Sequence, residues 1–322
     1  MLDIIITHHD EPWEVCRSQF EMLAAQRRVN WNHVTVTVVN DGGRQISAER
    51  IADLPFRVRQ IDIEQGGVSR ARNMGFINTW EPWVMFCDCD DCFANIYALE
   101  DVMTCLTPEN AEKYDMLWTK VWQEGHQVSE IQDIKIMVFI HGKIYRRQFL
   151  LHEGIRFDEE LSFNEDSLFN ATIMTRTTNE RIGQVTTHSP VYAWLKREGS
   201  VTERYGAQDK AAWGQFCRNL KVTQQILEHK PEQYPGMVTR AAYDVFYMQM
   251  SSKFSPSCKQ KLLEAFRPWI RERIFDFGKV DDQTLRKIRD IDRMELLTKE
   301  DIGRFDDSPD NVSWYIHGIA EG

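Results

Sequence analysis

The chain has 322 residues, 42% of them hydrophobic and 27% charged, and a formal net charge of −10. That is ordinary globular composition, with material for one large domain or two modest ones. An acidic total argues against nucleic acid or an anionic membrane as the partner of the whole molecule, and no apolar run approaches the roughly 20 residues that span a bilayer.

The start, Met1-Leu2-Asp3-Ile4-Ile5-Ile6, lacks the basic region and cleavage site of a signal peptide and reads as a strand beginning at once. Leu2 to Thr7 is a β-branched run, expected as a buried parallel strand. Asp10 is placed to cap a helix over Glu11 to Arg27, with Pro12 in its first turn and Trp13, Cys16, Phe20 and Leu23 on one face. Val34 to Val39 reads as a second strand and Phe56 to Ile63 as a third. Gly66-Gly67 opens a helix from Val68 to about Trp80. The next run, Trp83-Val84-Met85-Phe86, is short, bulky and introduced by Pro82, so it reads as a buried strand; it leads into Asp88, Asp90 and Asp91. Strands and helices thus alternate in the manner of a mainly parallel α/β sheet.

Asn95 to Leu106 is expected to be helical. Met116 to Trp122 and Ile134 to Ile140 read as strands joined by the polar excursion Gln123 to Gln132. Short helices are expected over Arg146 to His152 and Asp166 to Thr175, and short strands over Gln184 to Thr187 and Val191 to Leu195. From Ala207 the alternation stops, and residues 207–322 read as a helical region following an α/β domain of residues 1–206. Asp306-Asp307-Ser308-Pro309-Asp310 reads as an exposed turn or tail. The seven cysteines are odd in number and form no framework, which points to reduced thiols and a cytoplasmic setting. Cys87, Cys89 and Cys92 do not have zinc-site spacing.

Three stretches carry chemistry. Asp88 and Asp90 share a face if the strand geometry continues. Two such carboxylates at a strand's carboxyl end suit a divalent cation carrying phosphate, or else cap the next helix. Asn40-Asp41-Gly42-Gly43 is either a turn or a strand-end carboxylate placed to meet a nucleotide base or ribose. Gly66-Gly67-Val68-Ser69-Arg70-Ala71-Arg72-Asn73-Met74-Gly75 sets backbone N–H groups and two guanidinium groups at a helix start. That suits an anion, and it is neither a dinucleotide fingerprint nor a P-loop.

In that order these stretches resemble the family 2 glycosyltransferases of the GT-A (Rossmann-like) fold, with its mixed, mainly parallel sheet flanked by helices. The resemblance continues through Gly142-Lys143-Ile144-Tyr145-Arg146-Arg147, through Phe157-Asp158-Glu159 with Asn164-Glu165-Asp166-Ser167-Leu168-Phe169, and through Arg197-Glu198-Gly199-Ser200-Val201-Thr202, so it spans roughly residues 2–205. It implies inverting transfer of a sugar from a nucleoside-diphosphate sugar, UDP-sugar by default, to an acceptor hydroxyl with the help of Mn²⁺ or Mg²⁺. On that basis Asp166 is the expected general base, with Glu165 orienting the acceptor or its loop. Asp90 and Asp88 are the expected metal ligands, with His188 a further one, although Asp88 is also placed to face the ribose. Asp91 is left to orient the loop or cap the next helix. Thr7, Asp41, Arg72, Asp88, Lys196, Arg197 and Ser200 are expected around the donor.

The sequence also departs from the family pattern. His8-His9-Asp10 stands where a P-x-Y-N is usual, and Asn40 and Gly43 replace the Asp and Ser of a common D-D-G-S, so the base-side wall of the pocket is its own. The acceptor expected first is a glycan or glycan-lipid. A non-glycan polymer such as hydroxymethylated phage-type DNA is a second reading, needing Lys143, Arg146, Arg147, Lys196 and Arg197 on a surface near Asp166. A catalytically silent GT-A binding module is a third, opposed by the intact carboxylates. Residues 207–322 are expected to shape the acceptor side or mediate self-association.

Overall fold

A computed structural model describes residues 1–123, 138–187, 189–195, 207–302 and 304–321. The chain divides into two compact units, Met1–Glu198 and Gly199–Gly322.

The first unit opens with strand β1 (Leu2–His8), helix α1 (Trp13–Ala24), β2 (Val34–Asp41), α2 (Ala48–Ile51), β3 (Val58–Ile63), α3 (Val68–Ile77) and β4 (Trp83–Asp88). It continues with β5 (Cys92–Phe93), α4 (Ala98–Cys105), α5 (Pro108–Lys113), β6 (Met116–Trp118), β7 (Val121–Gln123), β8 (Lys143–Arg146), α6 (Arg147–His152), α7 (Glu165–Arg176), β9 (Ile182–Gln184) and β10 (Tyr192–Trp194). Seven strands form one sheet in the order β3-β2-β1-β4-β8-β6-β9. β3, β2, β1 and β4 run parallel, whereas β8 is antiparallel to both β4 and β6. β5, β10 and β7 form a small second sheet.

Alternation along the parallel strands divides the core in two. Ile4, Ile6, Val36, Val38 and Met85 pack on one side with Phe20 and Leu23 of α1 and Leu99 and Val102 of α4. Ile5, Val39, Val84 and Phe86 pack on the other with Phe76 of α3, Phe149 and Leu150 of α6, and Phe169 and Ile173 of α7. A sheet covered on both faces leaves ligands only its ends. The register sets Thr7 opposite Asp88 and His8 opposite Asn40, so the expected site residues finish along one carboxyl edge.

Several expectations are corrected. Asp10 does not cap α1: the N-cap is Pro12, and Asp10, at φ 58°, accepts hydrogen bonds from the Arg44 backbone and guanidinium instead. α3 stops at Ile77, because the side chain of Asn78 turns back to the Met74 carbonyl and the backbone N–H groups of Trp80 and Glu81 donate to Asp3. Met116 to Trp122 is not one strand. Its two ends belong to different sheets, and the break falls at Thr119, whose backbone and hydroxyl both bond the Gly142 carbonyl. Among the described residues the next strand after the excursion is Lys143–Arg146. Residues 138–140 are turn and irregular chain, while the rest of Gln123 to Gln132 and Ile134 to Ile140, apart from Gln123 itself, lies outside the described residues.

The second unit holds α8 (Ala207–His229), α9 (Tyr234–Met250), α10 (Pro256–Arg271), α11 (Asp282–Leu296) and α12 (Pro309–Glu321). Phe216, Val238, Phe246, Leu262, Phe266, Val312 and Ile316 belong to its own core. The acidic stretch near its end is only partly exposed. Asp307 is buried, accepts from the Tyr247 hydroxyl at 3.1 Å and pairs with Arg293 at 3.1 Å. Among the described residues no helix is long and apolar enough to cross a membrane.

Candidate active site

Arg72 is the centre of the carboxyl edge. It enters from the first turns of α3, a helix introduced by Gly67 at φ +89°, a conformation only glycine adopts freely. The Asp41 carboxylate holds that turn by accepting from the N–H groups of Gly66 at 2.7 Å and Gly67 at 2.8 Å. Asp41 is thus buried and already bonded within the loop that precedes the basic helix.

The Arg72 guanidinium is 3% exposed and donates to three carboxylates at once: Asp88 at 3.0 Å, Asp166 at 2.8 Å and Glu165 at 3.1 Å. Its Cζ lies over the Phe157 ring, 5.2 Å from the centroid, and Phe157 stacks on Phe169 at 3.9 Å. Asn73, next to Arg72, binds the Phe157 carbonyl, the Phe157 N–H and Glu159. The basic helix, the acidic strand end, the Phe-Asp-Glu turn and the Glu-Asp helix therefore meet at one guanidinium. Burial works against the cation, but Asp166, Asp88 and Glu165 more than offset it and hold its pKa above the ordinary arginine value.

The carboxylates respond in different directions. Burial pushes Asp88 up, yet Arg72 and His141 carry it well below the usual range. Glu165 is pushed up to about 8, first by burial and then by the adjacent Asp166, with Arg72 only partly opposing. Thr7 donates to Asp88 at 3.1 Å, completing the strand-end cluster.

Asp91 and His141 form the other side of the site. His141 reaches Asp88 at 3.2 Å and Asp91 at 3.5 Å, with its ring stacked on Tyr192 at 5.1 Å and on Phe139 at 6.1 Å. Asp91 is buried and takes the Tyr192 hydroxyl at 2.9 Å and the Leu195 N–H at 2.9 Å, so it orients the β10 segment; the N-cap of α4 is Tyr97. Burial raises Asp91 to about 7. His141 is raised by its two carboxylate neighbours despite its own burial. Below them Lys143 is fully buried, donates to the Phe139 carbonyl and is pushed down to about 7 by burial, with Asp166 acting the other way. A buried Lys143 cannot offer its charge to a polyanionic acceptor surface.

The structure thus brings together Thr7, Arg72, Asp88, Glu165 and Asp166, with Asp41 one loop away. Asp90 is half-buried. Among the described residues, ligand atoms of Asp88, Asp91 and His141 lie within 4.8 Å of one another, a carboxylate and imidazole set that fits a divalent cation by donor type and spacing. His188, Lys196, Arg197 and Ser200 lie outside the described residues. His141 and the inward face of Asp91 were not legible in the sequence, although His141 stands just before the Gly-Lys step. At the end of β1, His9 sits against the Asp41 carbonyl at 2.5 Å and Gln65 at 3.4 Å, while His8 bonds Asn40 at 3.1 Å. The His-His pair is thus tied to Asn40 and to the Asp41 backbone at the end of β2.

Residues 3–152 match the family described as Glycosyl transferase family 2. This stretch belongs to glycosyltransferase family 2. Among curated proteins the chain is 24% identical over 191 residues to "Minor teichoic acid biosynthesis protein GgaA" and 24% identical over 207 residues to "Uncharacterized glycosyltransferase EpsJ", both from Bacillus subtilis (strain 168). These matches take in 53% and 57% of this chain but only 42% and 58% of the relatives. Among solved structures, S. aureus TarS 1-349 in complex with UDP-GlcNAc superposes with a TM-score of 0.66 at 19% identity, covering 84% of this chain and 80% of that one. The mannosyltransferase PcManGT from Pyrobaculum calidifontis, in complex with GDP-Man and Mn²⁺, gives 0.51 at 12% identity, covering 99% and 86%. At these identities the structural likeness establishes the shared GT-A fold.

Proposed function

We propose that the chain is a metal-dependent, inverting glycosyltransferase that moves a sugar from a nucleoside-diphosphate sugar, UDP-sugar first, to a hydroxyl of a glycan or glycan-lipid acceptor. The observation that carries this reading is Arg72 bonded at once to Asp88, Glu165 and Asp166. It joins the strand end that faces a donor to the helix that faces an acceptor. The family match, the UDP-GlcNAc bound by TarS and the teichoic acid role in the name of GgaA support it.

In this reading Asp166 is the general base, taking the proton from the acceptor hydroxyl as that oxygen attacks the anomeric carbon from the face opposite the departing diphosphate. Arg72 holds Asp166 through one oxygen, Oδ1, fixing its direction. Glu165, pushed up to about 8, is mostly protonated at neutral pH and serves as a hydrogen-bond donor that orients acceptor or loop rather than as a second base. A divalent cation, held by Asp88 with Asp91 and His141, or with Asp90 as the family resemblance implies, would supply positive charge against the leaving diphosphate. Thr7 and Arg72 keep Asp88 ionised and aimed for either duty.

Asp166→Asn should leave the thermal shift given by UDP and Mn²⁺ unchanged and lower transfer by about 10²-fold or more, the range for loss of a positioned base. A panel of UDP-, TDP-, GDP- and CDP-sugars, scored by Mn²⁺-dependent hydrolysis, identifies the donor without knowledge of the acceptor. Near-normal transfer by Asp166→Asn would remove the base assignment, and a panel without any metal-dependent signal would remove the reading as a whole.

A further inference from the structure

Asn170 stands on α7 four residues after Asp166, so the two side chains share a face of that helix. Asp166 reaches Arg72, whereas Asn170 is buried and reaches the other side of the site. Its amide nitrogen donates to the Phe139 carbonyl at 3.0 Å, and its amide oxygen accepts from the Tyr145 hydroxyl at 2.9 Å. A carbonyl can only accept, so the bond to Phe139 fixes which way the amide is turned.

Phe139 leads into the short turn that presents His141. The Lys143 N–H closes that turn on the Ile140 carbonyl at 3.2 Å, with Gly142 at φ +66° in its third position. Thr119 holds the exit of the turn, its N–H and its hydroxyl each donating to the Gly142 carbonyl at 2.9 Å. The entry is held at the Phe139 carbonyl, by Asn170 and by the buried Lys143 ammonium. Between these anchors the His141 imidazole lies nearly parallel to the rings of Phe139 and Tyr192, at interplanar angles of 9° and 8°. Its Nε2 meets Asp88 at 3.2 Å and Asp91 at 3.5 Å. The residue whose carbonyl Asn170 holds is therefore also the one whose ring backs the imidazole.

We propose that Asn170 is a positioning residue for the divalent cation. By fixing the Phe139 carbonyl it fixes the ring behind His141, and so sets the imidazole against the two carboxylates. The inference rests on the cation site proposed above. Asn170 is neutral, so its loss changes no charge near the cation, and any effect on affinity comes from geometry. Through Asn170 the helix that carries the proposed base also supports the cation site, so both halves of the site share one frame.

Mn²⁺ titration of the full chain without donor, read from the electron paramagnetic resonance signal of the free ion, tests this. Asn170→Leu keeps most of the volume and removes both hydrogen bonds. It should weaken Mn²⁺ binding about tenfold, the lower end of the range for groups that orient metal ligands. Asn170→Ala takes its place where the leucine variant does not melt cooperatively. His141→Phe keeps a ring between Phe139 and Tyr192 but removes the ligand nitrogen, and should weaken binding at least as much. The double variant should bind no more weakly than His141→Phe alone, because Asn170 acts through His141. Thr177→Val, at the far end of α7, loses a 2.7 Å hydrogen bond to buried Asp115. It should lower the urea midpoint and leave Mn²⁺ binding at the wild-type value. An Asn170→Leu chain that binds as wild type, an additive double variant, or an equal loss in Thr177→Val would overturn the inference while leaving the cation site in place. A wild-type chain that takes up no Mn²⁺, or a His141→Phe chain that binds as wild type, would remove the cation site at His141 and the inference with it.

Discussion

At the scale of single residues, Arg72 holds Asp88, Asp166 and Glu165 together in a place where no charge is cheap to strand. Arg72→Met keeps most of the side-chain volume and removes the charge, leaving Asp88 and Asp166 without their buried counter-charge and Glu165 without its donor. Breaking a buried ion network in this way typically costs about 3–5 kcal/mol. A urea midpoint lower by a corresponding amount, together with loss of the donor-dependent thermal shift, is the expected result; a midpoint equal to wild type would show that the carboxylates are solvated rather than held. Glu165 gives a pH dependence of fixed sign. Its folded pKa, about 8, lies above the ordinary 4.5, so between those values the folded state binds the extra proton. Its contribution is full below about pH 4.5 and is lost as pH rises toward 8. Glu165→Gln should therefore gain stability relative to wild type as pH is raised from 5 to 8, measured by urea denaturation at each pH; a difference that does not change with pH would contradict the raised pKa. Arg72, Asp88 and Asp166 were legible in the sequence because each lies in a local motif. His141 was not, since its significance comes from ring stacking on Phe139 and Tyr192 and from a carboxylate 53 residues away.

At the scale of elements, the parallel strands were readable because burial on both faces makes them continuous apolar runs, and β1, β2 and β4 lie where those runs predict. The short strands past β5 were harder. Three or four residues do not show a period, and β6 and β7 are separated into two sheets by a single break at Thr119–Lys120. α3 is the element on which the site depends most, because it carries Arg72 and Asn73 onto the sheet. Its closest approach is at Gly75, where an added Cβ would lie 2.4 Å from Ile5 Cγ2 and 3.1 Å from Val39 Cγ2. Gly75→Ala should therefore lift the helix from β1 and β2 and destabilise by about 1–3 kcal/mol, despite alanine's better helix propensity. Because the lift moves Arg72 relative to Asp88, donor binding should weaken in parallel. A stabilised Gly75→Ala variant would mean that Ile5 and Val39 yield more readily than a close-packed core allows.

At the scale of the whole molecule, two hydrophobic cores correspond to the two units, one divided by the sheet and one among helices α8 to α12. The change in character near Ala207 was visible as the loss of strand alternation, whereas the packing of five helices was not, because amphipathic faces do not name their neighbours. We propose that the division is a domain boundary, with residues 207–322 forming an appended helical domain. Tyr243, Phe246, Tyr247 and Phe266 are buried within that unit, and polar contacts such as Asp307 with Tyr247 and Arg293, and Asp209 with Ser255, close within it too. A core of that kind supports independent folding. Residues 199–322 expressed alone should give a helical far-UV spectrum and a single cooperative urea transition of about 5 kcal/mol or more. Asp307→Ala in that fragment should lower the midpoint, since it leaves Tyr247 without its buried acceptor, by about 1–3 kcal/mol. A fragment that is helical but melts without cooperativity would place the division elsewhere and make the helices part of a single folding unit with the sheet.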